Sequence, residues 1–312
     1  MDVPTTYDEF IEMLTRFKNE IPECTAPYTA PGLKSTQALP EFYQGATADY
    51  VKVDGKWVDG MAQDNMLTAL QNLQDAYTAG LIDQEAITNT TSSCRDEWYA
   101  GTVGCFPYWG GLWGETLTVR LKQNVPDAEV IALPPIEGAT YLYSAPSVQV
   151  ISSKLSDEQV ASVYKYFIEY MHDGGEGQVL FQSGVEGVHW QQSGNNIDPL
   201  PTISKPAEAF RKAWITPWLA LTPMTATDKN VEVSQEVTDS LAVVSANAKN
   251  ISVFPVSEQR TMITSDLTTT RENIISRVAM GQLTPEEGMA EYKAQAETLN
   301  VAQALEEMNA NA

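Results

Sequence analysis

The sequence predicts an α/β protein with a mixed sheet and a helical C-terminal region. Apolar strand patterns alternate with amphipathic helix patterns up to about residue 200. The middle of the chain has the order strand–helix–strand–strand–helix, which is typical of helices layered on a mixed sheet. Helix-start signals of the form Ser/Thr-x-x-Glu/Gln stand at Thr6, Ser156 and Thr284. These observations fix the fold class, and each element is justified below in chain order.

The N-terminal part predicts a helix, a hairpin and a second helix. Thr6 and Glu9 form a capping box, and the helix that follows has an apolar stripe at Phe10, Met13, Leu14 and Phe17. The stretch "YVKVDGKWV" alternates around Asp54-Gly55, which is a strong signal for a tight hairpin. A second apolar stripe then leads to Gly80, a residue suited to end a helix in left-handed geometry; the stripe consists of Met66, Leu70, Leu73 and Tyr77.

The middle of the chain predicts three strands and two helices. The strands are "TVGCFP", "AEVIALPP" and "SVQVISS", and a helix over "LWGETLTVRLKQNV" follows the first of them. Ser156 and Gln159 form a second capping box. The apolar stripe of the helix behind it consists of Val160, Val163, Tyr164, Phe167, Ile168 and Met171. From about Pro206 the chain is predicted to be mostly helical.

Charge and composition exclude several classes of protein. The 312 residues carry a formal charge of -22, from 41 acids and 19 bases, and no cluster of basic residues is present. Such a surface repels phosphates, so we expect no nucleic-acid partner. No apolar run reaches the ~20 residues that a membrane helix needs. The start "MDVPTTYDEF" lacks the features of a signal peptide, which by itself favours the cytoplasm unless the chain is a mature form or a fragment.

The motifs of common enzymes and metal sites are missing from the sequence. There is no G-x-S-x-G, P-loop, G-x-G-x-x-G or H-E-x-x-H pattern, and we expect no cofactor. The two histidines, His172 and His189, are too few for a multi-histidine metal site. The three cysteines lack C-x-x-C spacing, which favours reduced structural thiols, although Cys94 and Cys105 lie close enough in sequence to meet.

Aromatic residues next to glycines are the most informative feature. Tyr108, Trp109 and Trp113 lie around glycines at the end of a predicted strand, and Trp190 lies in a second glycine-rich loop. Sugars pack their C–H faces on such rings, and open α/β sheets bind ligands at strand ends. The alternative is that the rings fill the core. Trp214 and Trp218 could line a cleft or pack against a helix, and we expect packing.

The loop "SGVEGVHW" leaves three alternatives open. Gly184 and Gly187 allow tight turns, and Glu186, His189 and Trp190 could contact a ligand by hydrogen bonds and stacking. Alternatively, the loop is an internal turn whose polar groups satisfy each other. A third alternative is glycoside chemistry, with Glu186 paired with a distant acid.

Six stretches of the chain resemble, in order, the extracellular solute-binding proteins of bacterial carbohydrate ABC transporters, particularly the lipoprotein-type family 1 branch. They are "VPTTYDEFIEMLTRFK", "ALQNLQDAYTAGLIDQEAIT", "WYAGTVGCFPYWGGLW", "DAEVIALPPIEG", "SGVEGVHW" and "ENIISRVAMGQLTPEEGMAEYKAQAETLNVAQALEEMN". The resemblance spans nearly the whole chain. One departure is Ser183, where relatives often carry tyrosine.

The resemblance implies a periplasmic-binding-protein-like (class II) fold of two α/β lobes. Residues 1–140 would belong to the second lobe, 141–192 to part of the first lobe with hinge crossings, and 193–312 mainly to the second lobe with its C-terminal helices. The family has about one hundred further N-terminal residues, so the first lobe is expected to be incomplete in this chain. Weak or no ligand binding is therefore expected.

The resemblance also implies the function. The chain would be the substrate-binding subunit of an ABC importer, would hold an oligosaccharide in a cleft between the lobes, and would catalyse nothing. Its partners would be the carbohydrate and a membrane permease, and we expect a monomer. The full-length form would be an extracellular lipoprotein. The implied ligand-binding residues are Tyr108, Trp109, Trp113, Glu186, His189 and Trp190. A glycoside-active enzyme and a peptide-binding relative of this fold stay open as alternatives.

Overall fold

A computed structural model describes residues 2–143, 149–200 and 222–312. The chain divides into two units: unit 1 comprises Met1–Ala145 and Asp239–Ala312, and unit 2 comprises Pro146–Thr238. Trp214 and Trp218, for which the sequence predicts packing against a helix, lie outside the described ranges. None of the helices in these ranges combines the length and apolarity that a membrane crossing requires.

Helices and strands alternate as far as residue 199, and helices dominate thereafter. The helices are α1 (Tyr7–Glu20), α2 (Pro40–Tyr43), α3 (Asn65–Thr78), α4 (Thr91–Ala100), α5 (Leu112–Asn124), α6 (Asp157–Val163), α7 (Glu176–Ser183), α8 (Gln235–Asn247), α9 (Glu258–Ala279), α10 (Pro285–Thr298) and α11 (Val301–Ala310). The strands are β1 (Ala26–Tyr28), β2 (Tyr50–Val53), β3 (Lys56–Asp59), β4 (Val103–Cys105), β5 (Leu142–Tyr143), β6 (Trp190–Ser193), β7 (Asn196–Pro199) and β8 (Lys249–Asn250). A 3₁₀ turn (Gly60–Ala62) precedes α3, and a π-helix (Tyr164–Glu169) follows α6.

The predicted capping boxes begin α1, α6 and α10. At α1, the Thr6 hydroxyl accepts the Glu9 N–H at 3.3 Å, and the Glu9 carboxylate accepts the Thr6 N–H at 3.2 Å. Two otherwise unsatisfied helix-end donors are thereby paired, which fixes where the helix begins. Three stripe residues of α1 are buried, namely Phe10, Met13 and Leu14.

Parallel pairing links β1 to β4, in the register Ala26 with Val103 and Tyr28 with Cys105. Ile82 forms a further parallel bridge to Tyr28. The carboxyl ends of these segments therefore lie at one edge, where open α/β sheets bind ligands.

The predicted hairpin is formed by β2 and β3, with Val53 opposite Lys56. Asp54 has φ 48° and Gly55 has φ 80°, so both central residues adopt the left-handed conformation that a two-residue type I′ turn requires. Trp57 on β3 is buried in the core of unit 1.

The hydrophobic core of unit 1 joins the N-terminal elements to the C-terminal helices. Phe10, Tyr28 and Phe42 form edge-to-face aromatic contacts with centroids 5.1–5.9 Å apart. Ile275 on α9 and Met308 on α11 belong to the same core. The predicted α3 stripe is fully or almost fully buried there, at Met66, Leu70, Leu73 and Tyr77. Gly80 (φ 65°) follows the end of α3 in the left-handed conformation, as predicted.

A buried ion pair reinforces this junction. The Arg271 guanidinium of α9 donates to Asp59 Oδ1 of β3 at 2.7 Å, and both side chains are buried. The Tyr292 hydroxyl of α10 donates to Asp59 Oδ2 at 2.6 Å and accepts from Arg271 Nε at 3.2 Å. Both carboxylate oxygens are thus satisfied, which a buried charge requires.

Unit 2 contains α6, the π-helix, α7 and the antiparallel pair β6–β7. Its described core consists of Val179, Trp190 and Ile197, with Met224 and Val231 packed against it. No residue from Asp157 to Glu169 is buried. Tyr164 and Phe167 of the predicted apolar stripe are 56% and 46% exposed, whereas Met171 is buried.

Two strands predicted from the sequence do not form in the described residues. Residues 128–138 have no regular secondary structure, because Pro134-Pro135 interrupts the segment and removes backbone donors. The described part of "SVQVISS", residues 149–153, is not a strand either. Strand β5 lies just before it and is two residues long, paired in parallel with β8.

Candidate functional site

An aromatic cluster follows the carboxyl end of β4. It consists of Trp98, Phe106, Tyr108 and Trp113. Ring centroids are 6.0 Å apart for Trp98–Phe106, 5.0 Å for Phe106–Tyr108 and 5.0 Å for Tyr108–Trp113. All four side chains are half-buried. The structure thus brings together Tyr108 and Trp113, two of the predicted ligand-binding residues.

Trp109 lies in the same loop as Tyr108 and is solvent-exposed, with 57% of its surface accessible. It directly follows Tyr108 in the irregular segment after β4. An exposed indole next to half-buried rings offers a flat apolar surface, the kind that packs against the C–H face of a sugar.

The loop that carries these rings is anchored by glycines. Gly111 adopts φ 70° and ψ -129°, and its N–H donates to Ser240 Oγ of α8 at 2.8 Å. A Cβ on Gly110 would lie 3.0 Å from Val244 Cγ2, so the backbone approaches α8 closely. The glycines that the sequence places beside the aromatic residues therefore serve a tight turn and a close approach.

A guanidinium accompanies the rings. Arg95 on α4 lies with Cζ 5.4 Å from the Trp113 ring centroid and donates to Ser92 Oγ at 3.0 Å. Burial raises the pKa of the Tyr108 phenol, and the charge and hydrogen bond of Arg95 oppose that rise. The sequence analysis did not include Arg95, because its contact with Trp113 depends on how α4 packs against α5.

A second polar group, also absent from the sequence analysis, lies where β1 ends. The Thr29 hydroxyl is 2.9 Å from Asp83 Oδ2 and 2.8 Å from Glu97 Oε2, and Asn89 donates to Asp83 at 2.6 Å. Burial raises the pKa of Glu97, and the adjacent Asp83 carboxylate raises it further. The Thr29 hydroxyl has a single hydrogen and donates to one of these carboxylates at a time. The group braces the end of β1.

The loop "SGVEGVHW" in unit 2 is closed by its own hydrogen bonds. The Trp190 indole Nε1 donates to the Gly184 carbonyl at 2.9 Å, and His189 Nδ1 accepts the Val185 N–H at 2.9 Å. The Gly187 N–H donates to the Trp190 carbonyl at 2.7 Å. These contacts favour the alternative of an internal, self-satisfied turn.

The six predicted ligand-binding residues therefore differ in accessibility. Trp190 is 3% exposed within the core of unit 2, so its ring presents no open stacking face. Glu186 is exposed, and His189 is half-buried. Gly184 has φ 84°, and a Cβ there would lie 2.6 Å from His189 Nδ1, which explains the glycine at this position.

The described ranges contain neither a reactive thiol nor a cluster of metal-ligating side chains. Cys24, Cys94 and Cys105 are free, and burial raises the pKa of the Cys94 thiol to about 11. Because the thiolate is the reactive form, this favours an inert structural role for Cys94. No group of three or more His, Cys, Asp or Glu side chains in the described part of the chain could hold a metal ion.

Comparisons with protein-family models and with curated protein sequences each returned no match. Solved structures do match. The alginate-binding protein AlgQ2, in a structure without calcium ion, is 16% identical with a TM-score of 0.68; the match covers 100% of this chain and 68% of that one.

Two further matches have similar values. The HMO-binding, ABC-transporter-associated solute-binding protein from Bifidobacterium longum infantis is 14% identical with a TM-score of 0.63, over 99% of this chain and 70% of that one. The N-glycan transport solute-binding protein NgtS from Streptococcus pneumoniae is 16% identical with a TM-score of 0.63, over 100% and 68%. The chain therefore has the periplasmic-binding-protein-like fold of these solute-binding proteins.

Proposed function

We propose that the chain is the substrate-binding subunit of an ABC importer and that it binds an oligosaccharide without catalysis. The observation that carries this proposal is the aromatic cluster with exposed Trp109 at the carboxyl end of β4. Flat rings at that end of a sheet provide a stacking surface for sugar rings. Three structural neighbours are named as binding or transporting alginate, HMO and N-glycan, and these names support a carbohydrate ligand.

We infer further that unit 1 corresponds to the second lobe of the family and unit 2 to the described part of the first lobe. The predicted boundaries are 1–140, 141–192 and 193–312, whereas the two units divide after Ala145 and after Thr238. The proposed partner beside the sugar is a membrane permease. The proposed location is extracellular, with the full-length form anchored as a lipoprotein and the binding subunit acting as a monomer.

Glycoside chemistry finds no support in the geometry. A general acid for that reaction is normally held in a desolvated pocket. Glu186 instead is exposed on a turn, and its backbone forms a bridge to Trp190. We therefore propose no catalytic role for Glu186, and any ligand contact by Glu186 or His189 remains a prediction.

Titration with an oligosaccharide panel tests the proposal. Saturation-transfer NMR at millimolar sugar detects weak as well as tight binding and is the suitable assay, with neutral and acidic tri- to pentasaccharides. Trp109→Ala should weaken binding of any responding sugar by about tenfold, equivalent to ~1.4 kcal/mol. Tyr166→Ala is the matched control, since Tyr166 is an exposed ring of unit 2 (69%) outside the aromatic cluster.

The outcomes separate clearly. Loss of binding in Trp109→Ala with retention in Tyr166→Ala supports the proposal. Equal effects of the two substitutions would contradict the assignment of the stacking surface, and a panel without any binder would contradict sugar binding by this chain. Hydrolysis of an aryl glycoside that depends on Glu186 would establish the enzymatic alternative.

A further inference from the structure

Arg95 is held by aromatic rings and hydroxyl groups. Its guanidinium lies over Trp113 at 5.4 Å, donates to Ser92 Oγ at 3.0 Å and is hydrogen-bonded to Tyr108. Guanidinium groups have five N–H donors in a planar fork. The contacts with Ser92 and Tyr108 leave donors available for a further acceptor.

The ion pairs of the described residues do not include Arg95. They join one lysine and three arginines to carboxylates at 2.6–3.9 Å, whereas the described contacts of Arg95 are with Trp113, Ser92 and Tyr108. Acids outnumber bases by 41 to 19 in this chain, so most arginines have carboxylates available as partners. A half-buried arginine outside the described ion pairs is therefore unexpected. A guanidinium in that environment keeps its charge available for a bound anion.

The negative charge of the chain makes the cationic side chain of Arg95 important for any acidic ligand. A chain of formal charge -22 repels anionic ligands, and screening limits that repulsion to about 8 Å at physiological salt. An acidic ligand would therefore need a local cation at its contact surface. Within the rings of the cluster, Arg95 is the cation that contacts Trp113.

We propose that the aromatic cluster binds a carboxylate-bearing oligosaccharide, with Arg95 as the residue that selects for the acidic sugar. This inference rests on the proposed function and names its substrate class. A sugar ring stacked on the cluster presents its carboxylate at the ring edge, and the guanidinium fork donates two parallel hydrogen bonds to that carboxylate. Hydrogen bonds between ions of opposite charge are stronger than neutral ones, which gives the acidic ligand its advantage.

Matched pairs of ligands test this assignment on the full chain. The probes are the trimers of galacturonate, mannuronate and glucuronate, each beside its methyl-esterified form, which keeps the ring and removes the charge. The acid form of at least one trimer should bind about tenfold more tightly than its ester, equivalent to ~1.4 kcal/mol. That preference should fall as salt increases from 50 mM to 500 mM, as the Debye length shortens from about 14 to 4 Å.

Three arginine variants complete the design. Arg95→Gln should abolish the preference for the acid, and Arg95→Lys should keep only part of it, because lysine retains the charge and loses the fork. Arg120→Gln is the matched control, since Arg120 is an exposed arginine on the neighbouring helix α5. Circular dichroism checks that each variant folds, and Arg95→Lys preserves the test if Arg95→Gln does not fold.

The possible results distinguish this inference from the proposed function. A preference for acid that is lost in Arg95→Gln and kept in Arg120→Gln supports the assignment. Equal binding of acids and esters, or a preference that survives loss of Arg95, overturns it while leaving sugar binding intact. If acidic, esterified and neutral sugars all fail to bind, the proposed function fails as well.

Discussion

Replacing Arg271 by methionine should destabilise unit 1 severely. Arg271 and Asp59 are 3% and 6% exposed, and their contact is 2.7 Å long. Burial lowers the pKa of Arg271, but Asp59 and Tyr292 raise it by more, so the guanidinium remains charged. Methionine fills a similar volume but leaves the Asp59 carboxylate buried with Tyr292 as its remaining described donor.

The expected loss follows from that geometry. Breaking a buried ion pair by removing one partner costs about 3–5 kcal/mol, out of a typical domain stability of roughly 5–15 kcal/mol. Arg16→Met is the control: the Arg16–Glu20 pair has a similar contact length of 3.0 Å, but its side chains are 44% and 57% exposed. Exposed pairs of this kind contribute about 0–1 kcal/mol.

Urea unfolding monitored by far-ultraviolet circular dichroism measures both losses. The midpoint should fall steeply for Arg271→Met and hardly at all for Arg16→Met. Adding Asp59→Asn to Arg271→Met should restore part of the stability, because it removes the uncompensated charge. An Arg271→Met variant as stable as Arg16→Met would refute the reasoning that burial makes this pair important.

Three other substitutions test local features. Glu41→Gln should flatten the pH dependence of stability: burial raises the pKa of Glu41 above its ordinary 4.5, so its stabilising contribution is present below that value and is lost as pH rises through the raised pKa. Urea midpoints from pH 4.5 to 8 check this. Gly177→Ala should lower the melting temperature of unit 2, because a Cβ would overlap the Tyr170 carbonyl. Trp190→Phe should cost about 1–3 kcal/mol, since it leaves the Gly184 carbonyl without its indole donor; hydrogen exchange of the loop amides should speed up.

Two of these substitutions have a control variant in the chain, and the third has a clear refuting outcome. Glu23→Gln changes an exposed acid of unit 1 and should alter the urea midpoint only slightly. Glu176→Ala, on the same helix as Gly177, should be nearly neutral because the side chain is exposed. If Trp190→Phe leaves loop exchange at the rate of the unmodified chain, the bracing role of the indole is wrong.

Features specified by neighbouring residues could be predicted from the sequence. The capping boxes at Thr6, Ser156 and Thr284 and the hairpin at Asp54-Gly55 each involve residues at most a few positions apart, and all four are confirmed. The fold class was also within reach, because the order of the elements and the resemblance pointed to the same architecture. The structural neighbours confirm it.

Features specified by tertiary contacts could not be predicted in this way. The burial of Trp190 depends on Val179 and Ile197, and the Arg271–Asp59 pair joins residues 212 positions apart. The role of Arg95 beside Trp113 likewise depends on the packing of two helices. The apolar stripe predicted behind Ser156 has no buried residue up to Glu169, because spacing alone does not reveal whether a face is covered.

The discontinuity of unit 1 has a consequence for how the protein is made. Residues 1–145 and 239–312 build one core, and Asn309 hydrogen-bonds the backbone of Trp57 across 252 positions. A ribosome therefore finishes all of unit 2 before it delivers the helices that complete unit 1. During that interval the early segment exposes apolar surface that the last helices later cover, and such surface promotes aggregation until synthesis is complete.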